Sequence, residues 1–111
     1  MNIRKLASVI RTKNAGPYII TADILFPNEE TYLRVKASGV ITRELVARLY
    51  RLELEDVLGV IFFDPARSIK MNIRRPVGQA SGDLNDTDVL GMQQHAPLLE
   101  INIPDELFRD L

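Results

Sequence analysis

The stretch that decides the fold is VLGVIFFDPARSIKMNIR, residues 57 to 74. Its first seven residues carry no polar side chain, the composition expected of a central strand covered on both faces or nearly so. Asp64-Pro65-Ala66-Arg67 then supplies turn chemistry, because the proline ring presets the backbone for a turn's second position. SIKMNIR alternates, with Ile69, Met71 and Ile73 on one side and Ser68, Lys70, Asn72 and Arg74 on the other. The two runs are expected to pair as a β-hairpin.

Upstream, PYIITADILF (17–26) is rich in β-branched and aromatic residues. Tyr18, Ile20, Ala22, Ile24 and Phe26 alternate onto one face, with Thr21 and Asp23 on the other. Pro27 closes that strand and Asn28 can cap a helix running to Gly39, a residue suited to a left-handed helix exit. Thr42 can cap a second helix, RELVARLYRL, whose Leu45, Val46 and Leu49 form an apolar stripe. Before all of these, Ile3, Leu6 and Ile10 are spaced by three and four, which predicts a short amphipathic helix over residues 2–13 ending at KNAG.

Downstream, residues 76–87 form a long loop of Gly, Asp, Asn and Ser, and DVLGMQQ (88–94) can make a short helix stopped before Pro97. LLEINI (98–103) is expected as the last strand, and DELFRDL as a loose final turn. Without the first helix, the order is β-α-β-β-α-β. That predicts a single α+β domain over residues 1–111, a ferredoxin-like antiparallel sheet with its helices on one face and an extra N-terminal helix. The other face is left to solvent or a partner. Thr21, Asp23, Lys70, Asn72, Arg74, Glu100 and Asn102 are the side chains expected there.

Composition narrows the function classes. The 111 residues, 46% hydrophobic and 26% charged, suit one globular domain. The net charge of −1 gives no global basic field for nucleic acid or an anionic membrane. The absence of cysteine excludes disulfides, thiolate metal sites and a cysteine nucleophile. The first residues, MNIRKLASVIRTKNAG, have no apolar run of signal-peptide length and nowhere are there 18 consecutive apolar residues, so the expected location is cytoplasmic. DLNDTD (83–88) imitates a calcium loop, yet Asp88 stands where glycine is needed and Gln94 where a bidentate Glu is needed. No metal and no cofactor are called for.

Two places could carry chemistry. In RTKNAGP (11–17), Arg11, Lys13 and Asn14 could hold a carboxylate or phosphate, and they could equally be basic residues offsetting a helix C-terminus. In QQHAP (93–97), His95 titrates near neutrality and is the candidate acid/base. Gln94 stands beside it as the second catalytic candidate, and Gln93 as a substrate-binding one. The same segment also suits a turn whose side chains satisfy the backbone before the last strand.

The stretches IRTKNAGPYIITADILF, YLRVKASGVIT, FFDPARSIKMNIRRP and DTDVLGMQQHAPLLEINIP together resemble a family of small bacterial and archaeal domains of unknown function. That family is similar to the ferredoxin-like C-terminal domain of acyclic terpene utilisation proteins, beside which its members are often encoded. Those proteins carry Arg-Ser-Gly-Asp-Lys-Gly-Asp ahead of a strand. Here RTKNAG matches it at Arg11 and Gly16 but not at the central Gly-Asp-Lys. The resemblance implies a larger partner of the terpene utilisation kind, in acyl-CoA or carboxylic acid catabolism.

The leading expectation is therefore a small auxiliary subunit of such an enzyme, contributing part of a site at the junction. The alternative is a stand-alone lyase, hydratase or hydrolase acting on a carboxylate or CoA thioester, with His95 as acid/base and Lys13 or Arg11 as anion anchor. A homo-oligomeric small-ligand sensor is the third reading. It would need a buried cavity between subunits.

Overall fold

The computed structural model describes residues 1–15, 18–74 and 96–108. Within them the chain is an α+β fold built on a four-stranded antiparallel sheet in the order β1-β2-β4-β3, where β1 is Val9–Asn14, β2 is Ile19–Leu25, β3 is Val57–Phe63 and β4 is Ser68–Arg74. A single turn of helix, α1 (Ile3–Leu6), precedes β1, and α2 (Glu29–Ser38) and α3 (Arg43–Tyr50) follow β2.

The helix boundaries follow from capping chemistry. Asn28 accepts a hydrogen bond from the Thr31 N–H at 2.8 Å and Thr42 accepts one from Leu45 N–H at 3.1 Å, each satisfying a donor that has no partner within its helix. Gly39 ends α2 at φ +70°, a left-handed conformation that costs glycine nothing. The β3–β4 hairpin forms as its alternation predicts, with Phe62 opposite Ile69 and Val60 opposite Met71.

The core lies between the helices and one face of the sheet. Ile24, Ile69 and Met71 from the sheet, Tyr32 and Val35 from α2 and Val46 from α3 are all fully buried in one cluster. α3 buries Val46, Ala47 and Tyr50, while Leu45 and Leu49 are only half-buried, so the helix is turned slightly from its expected stripe.

Three expectations are corrected. Residues 2–13 are not one helix: after Leu6 the chain turns and becomes β1, because Ile10 and Thr12 face the core while Val9, Arg11 and Lys13 face away, a period of two that pairs with β2. LLEINI is not a strand. Ala96–Glu100 is a 3₁₀ turn, and beyond it only an isolated antiparallel bridge joins Asn102 to Asn2. The edge beside β2 is already occupied by β1, so Leu98, Ile101 and Ile103 are buried instead beneath α1. There Ile3 N–H donates to the Ile101 carbonyl at 2.9 Å and Ile103 N–H to the Met1 carbonyl at 2.8 Å. Finally, among the described residues β3 is an edge strand, covered on one face only, with Leu58, Ile61 and Phe63 exposed.

The closing segment, Asp105–Phe108, is a 3₁₀ turn whose Phe108 is buried, with the Arg34 guanidinium 6.0 Å from its ring centroid. Among the described residues no helix is long and apolar enough to cross a membrane.

Candidate functional site

The strand register places Arg11, Asp23, Lys70 and Ile61 in one row across the face of the sheet that carries no helix among the described residues. Lys13, Thr21, Asn72 and Gly59 make the next row. Arg11 Nε lies 3.7 Å from Asp23 Oδ2, and Lys70 Nζ lies 4.0 Å from Asp23 Oδ1. The two cations are at least half exposed, whereas the Asp23 side chain is only 6% exposed. Its Oδ1 is buried without a hydrogen bond from any of the described residues.

A carboxylate removed from water is costly unless it is paired and hydrogen-bonded. Asp23 has the pairing, at distances just beyond a hydrogen bond, and lacks a donor on one oxygen. Beside it Thr21 Oγ1 donates to Asn72 Oδ1 at 2.9 Å, which orients the amide across the strand pair. Arg74, farther along β4, leans toward Asp56, with 3.8 Å between Nε and Oδ1. Among the described residues these two rows thus have Arg11, Lys13 and Lys70 against a single Asp23, an excess of positive charge suited to an anion.

The structure sorts the sequence candidates. Arg11 and Lys13 lie on the same face of β1, while Asn14, paired with Ile20, lies on the opposite face and does not join them. The basic residues therefore belong to a strand and not to a helix C-terminus. Of the side chains expected on the open face, Thr21, Asp23, Lys70, Asn72 and Arg74 belong to paired strands. Glu100 and Asn102 do not. Ser68, read as outward, is buried, opposite Leu25. Gln93, Gln94 and His95 lie outside the described residues, as do the loop 76–87 and the expected helix at 88–94.

A second polar cluster went unread in the sequence. The buried Tyr32 hydroxyl donates to Asp64 Oδ1 at 2.5 Å, and Lys36 Nζ donates to the same oxygen at 3.0 Å and to Oδ2 at 3.3 Å. These bonds hold the Asp64 carboxyl below its ordinary range, Tyr32 first and Lys36 second. Burial, reinforced by Asp64, pushes the Tyr32 phenol up. Lys36 also sits 5.8 Å over the Phe62 ring. The available signal was the i,i+4 spacing of Tyr32 and Lys36, which puts both on one side of α2. Its partner in the hairpin turn is a long-range contact.

Two further features complete the surface. A cleft of about 660 Å³ opens between the end of α3 and the 96–100 turn, with Arg48, Arg51, Pro97 and Glu100 among its walls. Among the described residues no three His, Asp or Glu side chains gather in a way that could hold a metal ion.

The model of the family described as a domain of unknown function, DUF4387, matches residues 3–102. The chain belongs to this family. The DUF4387 match spans the whole sheet, both long helices and, as far as Asn102, the segment that folds back beneath α1. No curated protein and no solved structure matches the chain.

Proposed function

We propose that this DUF4387 chain is a small auxiliary subunit that docks through the open face of its sheet onto a larger enzyme of the acyclic terpene utilisation kind. Its role in acyl-CoA or carboxylic acid catabolism is to supply anion-holding charge, from Arg11, Lys13 and Lys70, at the junction. The scaffold on this reading is a ferredoxin-like relative in which β1 takes the fourth strand's place, and the chain works in the cytoplasm. The observation that carries the proposal is Asp23: a buried carboxylate on the face that no helix covers among the described residues, held between two cations, with one oxygen lacking a donor among them. A partly desolvated polar face of this kind favours a partner surface over a closed pocket.

The test is co-purification with the neighbour-encoded enzyme, followed by titration of the pair. The expected result is binding at micromolar concentration that weakens on Lys70→Glu or Arg11→Glu. Absence of binding at that concentration, or binding indifferent to both charge reversals, would overturn the reading.

A stand-alone lyase, hydratase or hydrolase is the second reading, favoured by the placement of Arg11 and Lys13 on one face as a carboxylate anchor. It assigns acid/base work to His95 with Gln94. It predicts turnover of a carboxylate or CoA thioester by the isolated chain and loss of that turnover on His95→Ala.

A further inference from the structure

The two edges of the sheet are built differently. β1 carries Arg11 and Lys13, charges of the sort that keep a strand edge from pairing with another. β3, VLGVIFF, carries no polar side chain, and on its outer side it has no strand neighbour among the described residues. Its Leu58, Ile61 and Phe63 are 45%, 51% and 48% exposed. Such an edge offers a row of backbone donors and acceptors with nothing to repel a second strand.

We propose that β3 is the seam of a two-fold dimer of this chain, antiparallel and centred on Ile61, so that Ile61 faces its own copy, Val60 faces Phe62 and Gly59 faces Phe63. This inference does not rest on the subunit reading: it uses the backbone edge of β3, although Ile61 and Gly59 also sit at the margin of the open face.

Three observations select a second copy and this register. The strand is uncharged, so pairing with itself opposes no like charges, whereas a β1 seam would bring Arg11 and Lys13 near their own copies. The register of β3 on β4 shifts between Val57 and Gly59, leaving Leu58 as an extra residue. The regular edge therefore runs from Gly59 to Phe63, and Ile61 is its midpoint. Lastly, a Cβ added at Gly59 would meet nothing within 4 Å. That is the open space that the Phe63 ring of the opposing strand covers in this register, an aromatic side chain lying over an edge glycine.

In this arrangement the two sheets form one continuous sheet with the helices of both copies on one side. Both Arg11–Asp23–Lys70 rows lie on the other. A five-residue seam buries less than the roughly 1,200 Å² at the low end of stable interfaces. The dimer is therefore expected to form at high micromolar concentration and to dissociate on dilution.

The chain has no cysteine, so single cysteines report the register directly. Residues directly opposite in an antiparallel pair have Cα atoms about 4.5–5.5 Å apart, within the span of a disulfide. Ile61→Cys is therefore expected to give a covalent dimer on mild oxidation of the full chain. Phe63→Cys is expected not to, since its own copy lies four residues along the strand, about 13 Å away. Sedimentation equilibrium of the unmodified chain should show a monomer–dimer equilibrium that Ile61→Lys abolishes, with far-UV circular dichroism unchanged. A chain that stays monomeric at near-millimolar concentration would overturn the proposal. So would a Phe63→Cys variant that cross-links as readily as Ile61→Cys.

Discussion

The Tyr32 hydroxyl, on α2, donates a 2.5 Å hydrogen bond to Asp64, in the turn between β3 and β4, and so ties the helical layer to the hairpin. The Tyr32 ring is fully buried, tilted at 55° to Phe26 with 6.0 Å between centroids. Tyr32→Phe keeps that packing and removes only the tie. It is expected to lower the melting temperature modestly and to bring the Asp64 carboxyl back toward its ordinary range, which carbon-detected NMR titration would report. Tyr32→Ala also removes the ring and should cost about 3–5 kcal/mol, read from urea unfolding.

The same pair sets a pH dependence. Asp64 titrates lower in the folded chain than its ordinary 3.8, so its contribution is present above that value and is lost as pH falls through the folded one. Tyr32 and Tyr50 titrate above their ordinary 10.0, each chiefly through burial. Their neutral forms are favoured by folding, so that contribution is intact below pH 10.0 and declines as pH rises beyond it. Urea midpoints measured against pH should therefore fall at both ends. In Tyr32→Phe the acid-side fall should be shallower.

Asp23 carries a different prediction, because its partners are solvent-exposed. Asp23→Asn leaves Arg11 and Lys70 facing each other across β2 without a counter-charge, at an expected cost of about 1–3 kcal/mol, less than for a fully buried pair. In a double-mutant cycle of Asp23→Asn with Lys70→Met, a coupling energy of about 0.5–1 kcal/mol is expected. A coupling of zero would show that the 4.0 Å approach of Lys70 stabilises nothing.

The helix caps are separable from the core. Thr42→Ala removes the acceptor for the Leu45 N–H, and Asn28→Ala the acceptor for that of Thr31. Each should destabilise by about 1 kcal/mol, and the two should add, since they serve different helices.

At the centre of the sheet, Met71 is fully buried in the core cluster. Met71→Ala is expected to cost about 2–5 kcal/mol, through lost apolar contact and the cavity left behind. Met71→Leu conserves volume and should cost less than about 1.5 kcal/mol. The same urea series would show both.

What the sequence by itself determined is whatever a few neighbouring residues decide. Asn28, Gly39 and Thr42 delimit α2 and α3 through hydrogen bonds and backbone conformations within a turn of each residue. The alternation of β2 and β4 places Thr21, Asp23, Lys70 and Asn72 on one face, because side chains of a strand alternate whatever lies next to it. That much of the candidate site was legible. The sequence offers Arg11 and Lys13 as candidate anchors at a helix end, since Ile3, Leu6 and Ile10 fit a helical period while Ile10 and Thr12 fit a strand's. Only the pairing of β1 with β2, from Val9 opposite Leu25 to Asn14 opposite Ile20, decides between them and brings Arg11 to Asp23. Strand order is likewise a property of the tertiary structure. The sequence offers LLEINI as the last strand and residues 2–13 as a helix, yet it is β1 that takes the position beside β2. LLEINI folded under α1 instead, and β3, whose apolar run read as a covered central strand, became an edge. Periodicity reports which side chains share a face. It carries no information on which strand will be the neighbour, because that choice is made by backbone hydrogen bonds and buried area between residues far apart in the chain.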